Sequence, residues 1–234
     1  MSLRHFIALA SACTFLAADA SASELSYTFM DFRYLNKTVE AQGLQFPVPI
    51  QSIEVITDTG DGISIEGSLG IRENFFIAGS FQSSIVALSA EITNPFVTRM
   101  EDDEFDLIQS RVSFGYIHQF GANFDLIIEA SYDSSDYDFG SLAGEDFDMA
   151  DSGAGAQIGF RWNPTPAFEL SAAGRYTQLG TPLLSTKEFE SDTLFRLGLM
   201  WYFFEDLGLG IEAEVGEIDT VSFSMRFGFG DLPW

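Results

Sequence analysis

The chain has 234 residues, and its 35 Asp and Glu residues against 11 Lys and Arg residues give a formal net charge of −24. General binding of nucleic acid needs clustered Lys and Arg that contact phosphates, so this composition excludes that class. Hydrophobic residues make up 46% of the chain and aromatic residues 15%, an apolar content that a disordered acidic chain would lack. The 24 Phe and 21 Gly residues favour a β protein with a large apolar surface and an acidic part that faces solvent.

Residues 1–22 have the three-part pattern of a secretory signal. Arg4 and His5 give a basic start, residues 6–16 are apolar, and residues 20–22 form an A-x-A cleavage site. A buried N-terminal helix and a lipoprotein signal ending at Cys13 are the alternatives. We predict that residues 1–22 are removed and that residues 23–234 form one domain outside the cytoplasm, with neither a disulfide nor thiol chemistry.

Alternation of apolar and polar residues with period 2, which is typical of β-strands, dominates the rest of the chain. Ten segments alternate in this way, at about 25–36, 62–72, 75–86, 105–119, 124–135, 152–163, 167–179, 192–204, 207–216 and 219–229. Tight turns rich in Gly, Asn and Pro, such as residues 163–166, alternate with longer links. These links lie at about 37–61, 87–104, 136–151 and 180–191. The layout predicts an all-β fold, an up-and-down antiparallel transmembrane β-barrel with its short turns toward the periplasm. We expect ten strands; eight, with two segments merged into loops, is the alternative.

The polar face of the predicted strands indicates a lumen, because it combines Gly and Ser with single charges rather than the dense charge of a solvated surface. Thirteen charged residues fall on this face: Arg33, Arg111, Arg161, Arg175, Arg196, Arg226, Asp31, Glu66, Asp125, Glu129, Glu169, Glu212 and Glu214. Their charges nearly cancel, so the excess acid is expected in the loops and turns. The apolar face predicts contact with lipid, and aromatic residues gather beside the tight turns as in an interfacial girdle. These are Phe75, Tyr116, Phe124, Trp162, Phe168, Trp201, Phe203 and Phe229.

The ordered set of aromatic strand ends resembles the small outer-membrane β-barrel domain family, the porin-like and OmpA-like barrels of Gram-negative bacteria. It covers residues 23–229 and is carried by residues 74–76 (Asn-Phe-Phe), 114–116 (Phe-Gly-Tyr), 174–176 (Gly-Arg-Tyr), 201–203 (Trp-Tyr-Phe) and 221–229. The resemblance implies location in the Gram-negative outer membrane, contact with its lipid, and recognition of an aromatic residue at the end of the final strand by the barrel assembly machinery. Phe229 fits that role, but five residues follow it and end in Trp234, so either residue can be the signal.

The charged lumen has two interpretations. One is a pore that selects ions, and the other is a packed salt-bridge network that closes a narrow barrel. Ten strands lie near the size at which side chains fill a barrel, so we expect a filled or barely permeable lumen. The acidic runs at residues 101–104 and 133–151 could supply oxygen ligands for Ca²⁺, but no EF-hand spacing fits, so a solvated acidic surface is favoured.

Two further features leave alternatives open. Residues 44–56 are apolar for an exposed link and predict either a flap for a partner or the pore, or an extension of the neighbouring strands on the barrel rim. His118 would be needed by a lipid-modifying barrel enzyme, but one histidine rarely makes a catalytic triad, and a position at the membrane interface is favoured.

The sequence therefore predicts a non-enzymatic outer-membrane protein, porin-like or envelope-structural, with at most small-solute passage through a narrow lumen. No catalytic residue, metal or cofactor is expected. A surface adhesin or receptor with long acidic loops is the second hypothesis, a lipid-modifying enzyme the third, and a soluble periplasmic β protein the fourth.

Overall fold

The computed structural model describes residues 27–39, 52–56, 58–72, 74–93, 98–142, 145–180, 182–183, 188–189 and 191–229. The predicted signal at residues 1–22 lies outside these ranges. The described residues form thirteen β-strands, and none of them belongs to a helix long and apolar enough to cross a membrane. The strands are β1 (Phe29–Val39), β2 (Ser52–Ile56), β3 (Asp58–Arg72), β4 (Phe75–Thr93), β5 (Thr98–Gln119), β6 (Phe124–Leu142), β7 (Glu145–Thr165), β8 (Phe168–Thr177), β9 (Pro182–Leu183), β10 (Glu188–Phe189), β11 (Asp192–Phe204), β12 (Leu207–Val215) and β13 (Ile218–Gly228).

Ten of these strands close into one antiparallel barrel. Each pairs with its neighbours in chain order, and β13 returns to pair with β1. Strand β2 continues the line of β3 along β4, since Gly60 pairs with Val86 and Ile56 pairs with Ser89. Strands β9 and β10 form a separate two-stranded ribbon. The prediction of ten strands is confirmed, and the alternative of eight is wrong.

The two ends of the barrel differ. At the short-turn end, adjacent strands are joined across residues 73–74, 120–123, 166–167 and 205–206. At the hairpin end, β4 to β7 project beyond their neighbours. We predicted long loops at 87–104 and 136–151, and this is wrong for most of these residues: pairing continues from Ala87–Glu104 to Thr93–Thr98, and from Asp136–Ala150 to Leu142–Glu145. Mutual backbone hydrogen bonding extends these hairpins although their composition is polar and acidic.

Two smaller boundaries also differ from the sequence prediction. Strand β7 runs through Pro164 to Thr165, with a register shift after Trp162, so the predicted turn at 163–166 is displaced toward residues 166–167. Strand β1 runs to Val39 and therefore includes Lys37, which we had placed in a link. Pro164 and Lys37 both remain within strands because the residues on either side of them pair with the neighbouring strand.

Alternation along each strand separates an apolar exterior from a polar interior. On β4, Phe75, Ile77, Phe81 and Ile85 are exposed on the outer face, with Phe81 exposed by 52%. On the same strand Phe76 is buried on the inner face, at 4% exposed. A soluble barrel would bury its apolar face instead, so the distribution is that of a barrel with lipid outside.

Candidate functional site

The middle of the lumen contains a charged belt. We define it as Asp31, Arg33, Glu66, Glu169, Arg196, Glu212, Glu214 and Arg226. Arg33 of β1 meets three carboxylates: its Nη2 lies 3.1 Å from Asp31 Oδ2 and 2.9 Å from Glu66 Oε2, and its Nη1 lies 3.0 Å from Glu212 Oε1. One guanidinium thus joins β1, β3 and β12.

Arg226 of β13 connects carboxylates of two strands that are not neighbours, β1 and β8. Its Nε and Nη2 donate to Asp31 Oδ1 and Oδ2 at 2.9 and 3.0 Å, and its Nη1 donates to Glu169 Oε1 of β8 at 3.0 Å. Two strands, β12 and β11, separate β13 from β8 along the wall. Arg196 completes the belt with Glu214 Oε2 2.8 Å from its Nη2. A charge taken out of water costs free energy unless it is paired and hydrogen-bonded. In this belt each arginine contacts at least two carboxylates, which offsets that cost.

A second group of ion pairs surrounds Asp133, the first residue of the acidic run at 133–151. The structure places this carboxylate inside the lumen, 4% exposed, with Arg175 Nη2 2.7 Å from Oδ2 and Arg111 Nε 3.4 Å from Oδ1. Thr177 Oγ1 also donates to Oδ2, at 3.0 Å. Strict period 2 from Glu129 would have assigned Asp133 to the lumen, but its position inside an Asp-rich run concealed this.

All six predicted lumen arginines make ion pairs, and the seven predicted carboxylates divide into two sets. Asp31, Glu66, Glu169, Glu212 and Glu214 pair with arginines. Asp125 instead accepts a hydrogen bond from Tyr27 Oη at 2.7 Å, and Glu129 accepts one from Gln157 Nε2 at 3.2 Å. These two carboxylates face the lumen, but their partners in these contacts are neutral.

The short-turn end of the lumen is filled by an apolar plug of Tyr27, Phe76, Ile117 and Ile127. Tyr27 precedes β1, stacks on Phe76 with ring centroids 5.4 Å apart, and lies under the Arg161 guanidinium at 4.6 Å. Its hydroxyl reaches Asp125 on β6, on the far wall. Alternation along the predicted strand at 25–36 does not indicate this role, because Tyr27 carries no charge.

Apolar side chains are also buried toward the hairpin end. They are Val86, Phe105, Leu107, Tyr137, Met149, Leu179 and Leu194. Leu179 belongs to the link after β8, which lies against β7 because Gln178 N and Oε1 bond to the backbone of Ala154 at 3.1 and 2.9 Å. The charged belt therefore lies between the apolar plug and a hairpin end in which apolar and polar side chains are mixed.

Cavities remain between these layers. One of about 100 Å³ lies toward the hairpin end and is lined by Lys37, Gln82, Gln109, Ser135, Tyr137 and Arg175, among others. Another of about 100 Å³ lies between the charged belt and the plug, beside Tyr27, Phe76 and Glu129. Either volume is enough for several water molecules.

The predicted girdle residues lie on the outer face near the short-turn end. Their rings contact one another or aromatic neighbours: Phe75 with Tyr116 at 5.3 Å, Phe124 with Phe160 at 5.6 Å, and Trp201 with Phe203 at 6.0 Å. Phe168 stacks on Trp201, Trp162 pairs with Phe124 across β7 and β6, and Phe229 is exposed at the end of β13. Residues 230–234, including Trp234, lie outside the described ranges.

His118 is exposed on the outer face of β5, with its ring 4.6 Å from that of Phe120. This position is on the opposite side of the wall from the lumen carboxylates. Among the residues that the structure describes, no group of three or more His, Cys, Asp or Glu side chains is arranged to hold a metal ion.

Comparison with known proteins gives structural matches only. No protein-family model and no curated protein matches the chain. Among solved structures, it is similar to the translocator domain of the autotransporter NalP from Neisseria meningitidis, at 10% identity and a TM-score of 0.49, covering 97% of this chain and 95% of that one. It is also similar to the outer membrane protein OprG from Pseudomonas aeruginosa, at 8% identity and a TM-score of 0.44, covering 89% and 100%.

A third match is Neisserial surface protein A, at 14% identity and a TM-score of 0.43, covering 87% of this chain and 98% of that one. These scores carry no functional argument, and the barrel assignment depends on the strand pairing described above.

Proposed function

We propose that this chain is a non-enzymatic outer-membrane β-barrel protein of a Gram-negative bacterium, with an envelope-structural role and a lumen that allows at most small-solute passage. The observation that supports a filled lumen is contact at three levels between strands that are not neighbours in the sheet. Tyr27 bonds to Asp125 near the short turns, Arg226 to Glu169 in the middle, and Lys37 Nζ to Gln109 Oε1 at 3.2 Å toward the hairpins.

The exterior supports the membrane part of the proposal. Along β4 the exposed apolar residues run from Phe75 to Ile85, about ten residues, which matches the length of a tilted strand that crosses a bilayer. Above Ile85 the outer face turns acidic, since Asp106 pairs with Ile85 and Asp138 pairs with Asp106. We assign the short-turn end to the periplasm and the hairpin end to the outside, after export by the signal and insertion by the assembly machinery through β13.

Ion conductance of the refolded mature chain in a planar bilayer tests the filled lumen, and a heat-shifted gel band controls for a folded barrel. We expect a folded barrel with at most rare, small current steps. Steady steps whose size follows the salt concentration would contradict a filled lumen and favour a porin, with the charged belt as its selectivity region.

Recognition at the cell surface is a second candidate function, and the projecting hairpins support it. Strands β4 to β7 continue beyond the apolar band, and Glu104, Asp106, Asp136 and Asp138 are exposed there. Replacing residues 88–103 by a short turn removes one hairpin extension while the band residues of β4 and β5 remain. If cells with this variant keep all binding to surface ligands that intact cells show, this function is wrong for the β4–β5 hairpin.

A lipid-modifying enzyme has less support, because His118 points away from the lumen. Substitution His118→Ala should leave any lipid hydrolysis by the purified barrel unchanged. A loss of hydrolysis would restore that hypothesis.

A further inference from the structure

Lys37 is a buried cation whose charge no carboxylate offsets at short range. Its side chain is 2% exposed, and its ammonium donates to the neutral amide oxygen of Gln109 at 3.2 Å. Among the described residues, the ion pairs involve arginines, and none joins Lys37 to a carboxylate within 4.0 Å. An ammonium has three N–H donors, so this arrangement leaves two of them for another acceptor.

The amide network around Lys37 fixes its position without neutralising it. Gln109 Oε1 also accepts from Gln82 Nε2, and Gln109 Nε2 donates to Ser135 Oγ at 3.1 Å. Because the amide is held on both sides, its oxygen stays directed at the ammonium. The cluster therefore presents a preorganised positive group to the lumen.

The hairpin-side cavity lies beside this cluster and has further unused donors on its walls. Its volume is about 100 Å³, and Lys37, Gln82, Gln109 and Arg175 line it. Arg175 uses Nη2 for Asp133, while its Nε is buried without a hydrogen-bond partner. On the same wall, Nε of Arg111 lies 3.4 Å from Asp133 Oδ1 without forming a hydrogen bond. A buried donor that makes no hydrogen bond costs free energy, and an oxygen acceptor in the cavity would remove that cost.

We propose that this cavity is a binding site for a small carboxylate anion, with Lys37 as its counter-ion and Arg175 as a second donor. A carboxylate supplies two oxygens, each able to accept more than one hydrogen bond, and a charge-assisted bond to an ammonium is stronger than one to a neutral amide. Carboxylates such as Glu214 and Asp133 also line the cavity, so a dianion would be repelled and a monocarboxylate is favoured. The site does not depend on conduction, because it needs only entry of a small ion from the hairpin end.

Acetate is the probe, and the thermal midpoint of the heat-shifted gel band of the refolded barrel is the measurement. A ligand that binds only the folded state raises this midpoint once its concentration exceeds Kd, and the rise then continues with the logarithm of the concentration. At constant sodium concentration, replacing MOPS anion by acetate should raise the wild-type midpoint by a few degrees. No rise, or an equal rise in a folded variant whose site is blocked, would overturn the proposal.

Two variants locate the effect. Gln109→Glu places a carboxylate against Lys37 with almost no change of volume, so it should raise the midpoint without acetate and abolish the response to acetate. Lys37→Met removes the charge and should also abolish the response, whereas Lys187→Met, at the one other lysine of the chain, should respond like wild type. If Lys37→Met does not fold, Gln109→Glu decides alone: a folded Gln109→Glu barrel that still responds like wild type would overturn the proposal.

The acetate titration is also run on wild-type protein by saturation-transfer NMR, so that the result does not depend on either variant folding. Transfer to the acetate methyl group is expected and should disappear in Gln109→Glu. A barrel that conducts ions and still shows this saturable binding would contradict the filled lumen of the proposed function but keep the site. A barrel that conducts no ions and does not bind acetate would support the filled lumen but overturn the site.

Discussion

Asp31 and Arg226 face each other directly across the seam at which the barrel closes. They are paired residues of β1 and β13, 195 positions apart in the chain, and the guanidinium donates to both carboxylate oxygens at 2.9 and 3.0 Å. Asp31 is 0% exposed. The contact therefore joins the first and last strands of the barrel with a bidentate, buried ion pair.

Removing the guanidinium at this seam should strongly destabilise the barrel. Substitution Arg226→Gln leaves the buried Asp31 carboxylate with Arg33 alone and takes one partner from Glu169. Breaking a buried ion pair typically costs about 3–5 kcal/mol. We expect the urea midpoint of the refolded barrel, followed by the heat-shifted gel band, to fall accordingly.

Two controls separate pairing from general loss of charge. Glu205→Gln changes an exposed turn residue and should alter the free energy of unfolding by no more than about 0.5 kcal/mol. Asp31→Asn combined with Arg226→Gln should be more stable than the sum of the single effects, because no unpaired carboxylate remains at the seam. Equal midpoints for Arg226→Gln and Glu205→Gln would contradict the role of the pair.

The hydroxyl of Tyr27 should contribute measurably to stability because it is the polar end of the apolar plug. Tyr27→Phe keeps the stacking on Phe76 but leaves Asp125 without its 2.7 Å hydrogen bond, an expected loss of about 1–3 kcal/mol. Tyr34→Phe is the matched control, since Tyr34 Oη bonds to Asp61 on the exposed outer face. If both variants lose the same free energy of unfolding in urea, Tyr27 is not a special contact of the lumen.

Gly115 should not tolerate a side chain, because the Phe76 ring occupies the space beside it. A Cβ at residue 115 would overlap Phe76 Cζ, and that ring stacks on Tyr27. We expect Gly115→Ala to cost about 1–3 kcal/mol of folding free energy by overpacking. At Gly79 the nearest atom to an added Cβ is Arg111 O at 3.6 Å, so Gly79→Ala should be neutral or stabilising. The reverse order of stability in urea would contradict the packing described for the plug.

The position of the bilayer can be tested by introducing an arginine on the outer face, either in the middle of the apolar band or at its end. Phe81 lies midway along the apolar band and is 52% exposed, whereas Phe204 lies beside the β11–β12 turn and is 69% exposed. In lipid vesicles, Phe81→Arg should cost about 2–4 kcal/mol and Phe204→Arg about 0–1, as measured for other barrels. Similar, small costs at both positions would indicate a soluble barrel.

The strand segments and the two faces could be predicted from the sequence because side-chain alternation is a local property of an extended chain. The same argument placed all six lumen arginines and five of their carboxylate partners. It did not identify Asp133, which also belongs to the acidic run at 133–151, or Lys37, at the start of a predicted link, although strand pairing includes both residues. Whether a polar segment stays in a strand depends on its partner strand, which local composition does not describe.

The sequence by itself determined an apolar exterior, a nearly neutral polar interior and ten strands, since each follows from the order of residues along single segments. Only the tertiary structure decided which groups meet inside. Arg226 reaches Glu169 from three strands away, and Tyr27 reaches Asp125 across the lumen. Such contacts depend on strand register and on closure of the sheet, which bring residues together at distances that no local pattern encodes.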